Sequence, residues 1–225
     1  MPRLVSYNVH DCIGTDRRYS PERIADVLAG LDADVVALQE VTLDHAGDVL
    51  RVFREVTGMH ETDGTLFDRG VGRYGNLLLS RSPPLRQAVD DISIAGREAR
   101  GVLDVELTLD GRRWRIFATH LGLGMLERRV QLGQVMQLAA QSDADFTVLM
   151  GDFNVWTGSA AFRPLIERGF SMSRVRSFPT RVLPLFALDR ILVRGDFTRT
   201  EYSRYDGGNV ATASDHFPVV ADLRY

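Results

Sequence analysis

Short apolar runs recur along this 225-residue chain, and lone hydrogen-bonding residues fall at or beside their ends. Leu4 to Val9 alternates and is rich in strand formers, yet Asn8 interrupts it. Val35-Val36-Ala37-Leu38 gives way to Gln39-Glu40. Trp114 to Thr119 is followed by His120, and Phe146 to Met150 by Gly151, Asp152 and Asn154. Asp189 lies inside the run from Leu188 to Val193, and Asp215-His216 precedes the run from Phe217 to Leu223. A chain punctuated in this way is expected to bring its polar strand ends to one rim, where α/β proteins build their sites.

The segments between these runs read as helices and hairpins. Ser20-Pro21 supplies an N-cap followed by proline at the first helical position, with Ile24, Val27, Leu28 and Leu31 on the apolar face. Further helices are expected over Leu43–Val56, Leu126–Ala140 and Phe162–Arg168. In the third helix Val130, Val135, Leu138 and Ala139 are available for burial. Leu77-Leu78-Leu79 is a core strand stopped by Ser82-Pro83-Pro84, and Asp110-Gly111 joins Val102–Leu109 to its return strand. Hairpins mixed with strand–helix units imply an α/β fold with two sheets, each covered by helices on one side. No repeat, linker or compositional break divides the chain, so residues 1–225 are expected to form one catalytic domain.

Composition narrows the chemistry. The formal charge is -3, hydrophobic residues make up 44% and charged residues 25%, which excludes a disordered or fibrous chain. The one cysteine, Cys12, excludes an internal disulfide and a cysteine-rich zinc cluster, and is expected to be a small buried hydrophobe. All 27 basic residues are arginine. Lysine Schiff-base chemistry and a P-loop lysine are therefore excluded, and cationic contacts to phosphate fall to arginine or protonated histidine. The acidic balance argues against a large duplex-coating surface and leaves room for a local positive cleft. No apolar run approaches the roughly 18 residues of a membrane span, and no segment reads as a secretory signal. The expected protein is cytoplasmic and monomeric.

The polar residues at the strand ends form a coherent set. Asn8 and Glu40 offer hard oxygen ligands suited to Mg²⁺ or Mn²⁺, with a structural amide and a solvated carboxylate as the ordinary alternatives. Asp152 and Asn154 are two apart, so in extended backbone they leave on one side; an Asx turn is the alternative. His120 and His216 stand at strand ends in polar company and suit proton transfer or contact with a phosphoryl oxygen. Asp189 is a candidate orienter of His216. His10 is a candidate cleft residue, His45 reads as a surface histidine, and His60 carries no specific signal. Arg73 and Arg100 are candidate phosphate clamps or solvated arginines, with Tyr74, Asn76 and Thr119 available for hydrogen bonds. Gly122 and Gly124 permit a loop across the cleft. Phe178 to Phe186, with Arg176 and Arg181 beside or within it, reads as either a core-capping loop or a substrate-recognition loop.

Tyr7-Asn8-Val9, Leu38-Gln39-Glu40-Val41, Tyr74-Gly75-Asn76 with Leu79-Ser80-Arg81, Thr119-His120-Leu121, Gly151-Asp152-Phe153-Asn154, Leu188-Asp189-Arg190-Ile191 and Ser214-Asp215-His216-Phe217-Pro218-Val219 stand in a familiar order. Together they resemble the endonuclease/exonuclease/phosphatase superfamily, which includes pancreatic DNase, exonuclease III-type repair nucleases, neutral sphingomyelinases and inositol-polyphosphate phosphatases. The resemblance implies a four-layered α/β/β/α sandwich with two central mixed sheets packed face to face. It implies phosphoester cleavage dependent on Mg²⁺ or Mn²⁺, with water attacking phosphorus and no covalent enzyme intermediate. In this pattern Glu40 is the principal metal carboxylate, helped by Asn8, and Asp215 either assists with the metal or hydrogen-bonds His216. Asp152 orients or deprotonates water, Asn154 binds a phosphoryl oxygen, and His216 contacts the phosphate with Asp189 as its partner. His120 matches the second histidine of the DNase and sphingomyelinase branches and is a candidate for assisting the leaving group. The glutamate that pairs with that histidine in the DNase branch has no counterpart in Arg73-Tyr74-Gly75-Asn76, which leaves the partner of His120 open. The expected substrate is a small or lipid phosphoester; a nuclease is the second expectation and a non-catalytic binding protein the third.

Overall fold

The computed structural model describes residues 1–43, 48–156, 158 and 160–225, without the side chain of Asp48. His45 and the start of the helix expected from Leu43 lie outside the described residues. The chain opens with β1 (Arg3–Asn8), a short 3-10 turn at His10–Cys12, and α1 (Pro21–Leu31). Ser20 caps α1 by accepting a hydrogen bond from the Arg23 N–H, and Ile24, Val27, Leu28 and Leu31 are all buried. There follow β2 (Val35–Leu43), α2 (Asp48–Thr57), β3 (His60–Asp68), β4 (Arg73–Ser80), β5 (Arg86–Asp91), β6 (Gly101–Leu109) and β7 (Arg112–His120). The second half holds α3 (Met125–Ala140), β8 (Phe146–Asp152), α4 (Arg163–Ile166), β9 (Ser171–Met172), β10 (Asp189–Arg194), β11 (Arg199–Arg204), α5 (Val210–Ala213) and β12 (Val219–Arg224).

The strands form two six-stranded sheets in the orders β11-β12-β1-β2-β4-β3 and β5-β6-β7-β8-β10-β9. Each is mixed, because β1 runs parallel to β2 and β7 parallel to β8 while their other neighbours are antiparallel. Side-chain alternation then sorts the apolar residues into layers. Val5, Tyr7, Val36, Leu38, Leu77 and Leu79 face α1 and α2, where Ile24, Leu28 and Phe53 meet them. Phe117, Leu149 and Leu192 face α3 and α4, against Leu132, Val135 and Leu165. Leu4, Val35, Ala37 and Leu78 face the opposite sheet's Val105, Ile116, Val148, Met150 and Ile191. These packings make the four-layered α/β/β/α sandwich.

Four strands carry no clear sequence signal: β3, β5, β9 and β11. All four lie at sheet edges. An edge strand needs fewer apolar residues, and charged side chains there discourage pairing with another chain. β5 (Arg-Gln-Ala-Val-Asp-Asp) and β11 (Arg-Thr-Glu-Tyr-Ser-Arg) are accordingly exposed or half-buried throughout. In α3 the inward face is set by Leu132, Val135 and Ala139, with Leu138 half-buried and Val130 exposed, so the apolar stripe is rotated from the expected one. β2 continues to Leu43 beyond an irregularity between Leu38 and Val41, where Glu40 takes a positive φ of 56°. The bulge removes Glu40 from the ladder's alternation and re-aims its side chain.

Candidate active site

The alternation that builds the layer between the sheets also supplies the site. Leu4, Ser6 and Asn8 follow one another on β1, Ile116, Ala118 and His120 on β7, and Val148, Met150 and Asp152 on β8. Asp189 begins the row that continues with Ile191 and Val193 on β10. The last members of these rows are neighbours: His120 pairs in register with Asp152, and Asp152 with Asp189. Gly151 allows this approach. It has φ 148°, and a Cβ there would lie 1.8 Å from the Thr119 carbonyl oxygen.

Asp152 is the centre of the cluster. Asn8 Nδ2 donates to Glu40 Oε1 at 2.9 Å and to Asp152 Oδ2 at 3.2 Å, so one amide spans both carboxylates. The Asn154 N–H donates to Asp152 Oδ1 at 2.9 Å in an Asx turn, with Asn154 at φ 51°. The turn and the site are thus the same feature. Asn154 Nδ2 lies 3.1 Å from His120 Nε2 and donates to the Leu121 carbonyl at 2.9 Å. This amide, rather than a glutamate, fixes the His120 ring. His120 Nε2 stands 3.7 Å from Asp152 Oδ2 and 3.9 Å from Glu40 Oε1.

The expected orienter of His216 is in place. Its Nδ1 lies 2.7 Å from Asp189 Oδ2, and the same oxygen accepts the Ser177 hydroxyl at 2.5 Å. Ser177 carries no motif in the sequence and is found only through the fold, which places it against β10. Ser214 holds the other side: its hydroxyl donates to the Asn8 carbonyl at 2.8 Å and accepts the His216 N–H at 3.2 Å. His216 Nε2 is then 3.9 Å from Asp152 Oδ2.

Burial sets the proton affinities in different directions. It pushes the Asp152 carboxyl up to about 7, reinforced by the Asp189 charge and opposed by His216 and by the Asn154 and Asn8 hydrogen bonds. For His216 burial disfavours the charged ring, but the charge and hydrogen bond of Asp189, with Asp152 and Asp215, outweigh it and raise the ring to about 10. Burial holds His120 well below the ordinary histidine value, with the Arg100, His216 and Arg69 charges acting the same way. The two histidines are therefore a cationic ring on Asp189 and a neutral ring beside Asn154.

The cluster opens into a cleft of about 490 Å³. Glu40, His120, Asp152, Asn154 and His216 line it, with Arg69, Arg97 and Arg100 on one wall. Arg100 is buried against Glu98, at 2.9 Å, and its Nε has no hydrogen-bond partner. Arg69, which carries no sequence signal, lies over the Tyr74 ring, 3.2 Å from its centroid. Arg73 is placed elsewhere: it is bound to Asp63 at 2.6 Å and Thr65 at 2.9 Å, outside the lining of the cleft. Asn76 is buried beneath the wall, with its amide 3.5 Å from the Gly101 carbonyl. His10 stands 3.9 Å from Asp215 at the margin, and Cys12 is buried. Phe178 lines the cleft 4.8 Å from the His216 ring, so part of the Phe178–Phe186 segment borders the site.

The donor set fits a divalent metal. Ligand atoms of Asp152, Asp189 and His216 all lie within 4.8 Å of one another, a group geometrically suited to one ion. Asp189 Oδ1 and Asp215 Oδ1 are buried without hydrogen-bond partners, which leaves carboxylate oxygens available to a cation. Carboxylate oxygens of this kind suit Mg²⁺ or Mn²⁺.

A four-layered sandwich with carboxylates and histidines at one end of its inter-sheet layer has the architecture and donor set of a divalent-metal-dependent phosphoesterase. The model of the Endonuclease/Exonuclease/phosphatase family matches residues 5–216, and the chain belongs to this family. It is 28% identical over 242 residues to the uncharacterized protein YbhP of Escherichia coli K12, across 98% of this chain and 95% of that protein. The fold resembles that of an endonuclease/exonuclease/phosphatase from Beutenbergia cavernae (TM-score 0.78, 22% identity), over 99% of this chain and 71% of that one. It also resembles the mannosyl-6-phosphatase of Bacteroides thetaiotaomicron (TM-score 0.79, 18% identity), over 100% of both chains. No helix among the described residues is long and apolar enough to cross a membrane.

Proposed function

We propose that this protein hydrolyses a small or lipid phosphoester with activated water and Mg²⁺ or Mn²⁺. The observation that carries the reading is the cleft itself, which puts Asp152, Glu40 and both histidines at the base of one arginine-walled space of about 490 Å³. Such a volume suits a single phosphorylated head group. Exposed Val182, Leu183 and Leu185 stand in the same segment as the cleft residue Phe178 and favour an apolar substituent on the substrate. The solved mannosyl-6-phosphatase with this fold is a neighbour whose name is in keeping with a small phosphoester.

In this reading Glu40, Asn8 and Asp215 would hold the metal beside Asp152, while Asp189 and His216, whose spacing would also allow them as ligands, stay paired with each other. The ion, when bound, supplies positive charge to a phosphoryl oxygen and makes water more acidic. Asp152 orients the attacking water and accepts its proton. The Asp189–His216 pair presents a cationic imidazole to the phosphate, and Asn154 donates to a phosphoryl oxygen by turning toward it the amide hydrogen that otherwise faces His120 Nε2. Arg100, joined by Arg69 and Arg97, balances the remaining charge. His120, held neutral, positions the leaving oxygen by hydrogen bonding. Arg73 takes no part in binding phosphate, because its guanidinium is bound to Asp63 and Thr65.

The test is a Mn²⁺-supported panel of phosphomonoesters, phosphodiesters, phospholipids, and single- and double-stranded oligonucleotides. Turnover of small or lipid esters is expected, with losses of roughly 10²–10⁴-fold in Asp152→Asn and His216→Ala. Preference for an oligonucleotide would replace this reading with a nuclease. Unchanged turnover in both variants would overturn the residue roles.

A further inference from the structure

The first two residues of β10 point to opposite faces of the sheet. Asp189 faces the catalytic cluster, and Arg190 faces a separate lateral pocket of about 240 Å³. Arg190 is only 5% exposed. Its Nη1 donates to the Ser173 carbonyl at 3.2 Å, and its guanidinium lies 5.1 Å from the Phe162 ring centroid. Its Nε is buried with no hydrogen-bond partner. Arg174 and Arg176 line the same pocket, and no carboxylate does so among the described residues. Burying a cation in a pocket that it shares with two other arginines is unfavourable unless an anion compensates it.

Trp156 connects this pocket to the reaction site, because it lines both spaces. The indole is 41% exposed. It is held edge-on against Phe178 and Phe186, with centroids 5.7 and 4.9 Å away. The cleft and the lateral pocket are thus compartments on either side of one aromatic wall. We propose that the lateral pocket binds a second phosphate group of the substrate through Arg174, Arg176 and Arg190. The preferred substrate is then a small phosphoester bearing two phosphates, one hydrolysed in the cleft and the other held beyond Trp156. The forked guanidinium is suited to this contact, and the chain has no lysine to make it. The inference deepens the proposed function and rests on it for the identity of the cleft.

The pocket can be tested without turnover. Of the two tryptophans, Trp114 is fully buried and Trp156 is exposed, so a ligand-induced change in indole fluorescence reports the wall. Inorganic phosphate is titrated into the metal-free wild type and into Arg174→Gln/Arg176→Gln, which leaves buried Arg190 in place. The double variant is expected to bind phosphate about tenfold more weakly or worse. Equal affinity would overturn the pocket. The source of the phosphate is tested by competing glucose 6-phosphate and glucose 1,6-bisphosphate against inorganic phosphate. The bisphosphate is expected to bind wild type about tenfold more tightly, and to lose that advantage in the double variant. Arginine-dependent phosphate binding with no advantage for the bisphosphate would make this a site for free phosphate and overturn the substrate assignment. Where either sugar phosphate is hydrolysed, the ratio of the two kcat/KM values should collapse in the double variant. An intact binding preference without any hydrolysis would count against the proposed activity and not against the pocket.

Discussion

The two ends of the layer between the sheets are built on the same strands and do opposite work. At one end Trp114 and Phe146 are register partners on β7 and β8, with ring centroids 4.5 Å apart. Phe197 and Tyr225 close around Phe146 at 4.7 and 4.6 Å. Six residues further along each strand, His120 and Asp152 are register partners in the same way. The backbone geometry is shared, so the difference lies in the side chains alone. The aromatic end converts apolar area into stability. The polar end buries ionisable groups, which disfavours folding, and holds them ready for chemistry.

The largest expected effects should divide along this line. Asp152→Asn is expected to cut turnover by roughly 10²–10⁴-fold while leaving the melting temperature equal or higher, since it removes a carboxylate repelled by Asp189. Trp114→Ala is expected to do the reverse, lowering stability by about 3–5 kcal/mol with kcat per folded molecule little changed. Denaturant melts and initial rates on both variants decide the matter. A folded Trp114→Ala protein with a collapsed kcat would show that the two ends are coupled.

Gly151→Ala should breach the division, because Gly151 immediately precedes Asp152 and pairs in register with Thr119. A methyl group 1.8 Å from the Thr119 carbonyl oxygen forces β7 and β8 apart where His120 and Asp152 must meet. Both the melting temperature and turnover are expected to fall, with turnover down by about tenfold or more. A change in only one of them would mean that the strands adjust without moving the pair.

These positions also show how much could be read before the fold was known. The lone polar residue within or beside each apolar run was legible because it breaks a pattern that is otherwise apolar. That one signal located Asn8, His120, Asp152 and Asp189, and the Asp189–His216 pair followed from it. Arg69, Arg174 and Ser177 were illegible as site residues for a different reason. They lie on loops, where no periodicity marks which way a side chain points. Arg73 shows the converse, since an arginine at a strand start is as readily bound by a local carboxylate such as Asp63 as by a phosphate. The edge strands escaped notice because their burial asks so little of their residues.

A gentler probe is pH. The Asp152 carboxyl titrates near 7 when buried and at its ordinary value of 3.8 when exposed. Its contribution to stability is complete below the lower value and is lost as pH rises through the upper one. Metal-free protein is therefore expected to melt at progressively lower temperature from about pH 4 to pH 7 at this site. Asp152→Asn should flatten that part of the profile in a thermal melt series with a chelator present. A profile of the same slope in the variant would place the titrating group elsewhere.

The smallest expected effect concerns Ser177, which touches the site only through Asp189. Its hydroxyl donates to Asp189 Oδ2, the oxygen that also binds His216 Nδ1, and it accepts the Asp189 N–H at 3.4 Å. Its own backbone N–H and carbonyl are held by Phe186 and Phe217 at 2.9 and 2.8 Å, so Ser177→Ala leaves the chain path tied. What remains is an Asp189 oxygen fixed by one partner instead of two. Loss of an orienting hydrogen bond at a buried carboxylate is expected to reduce kcat by about tenfold. KM should stay put, because Ser177 makes no contact with the cleft. Steady-state kinetics separate the two. A rise in KM at constant kcat would mean that the hydroxyl instead sets the position of the neighbouring Phe178 against the bound substrate, and would move the recognition surface from the arginine wall to the Phe178–Phe186 segment.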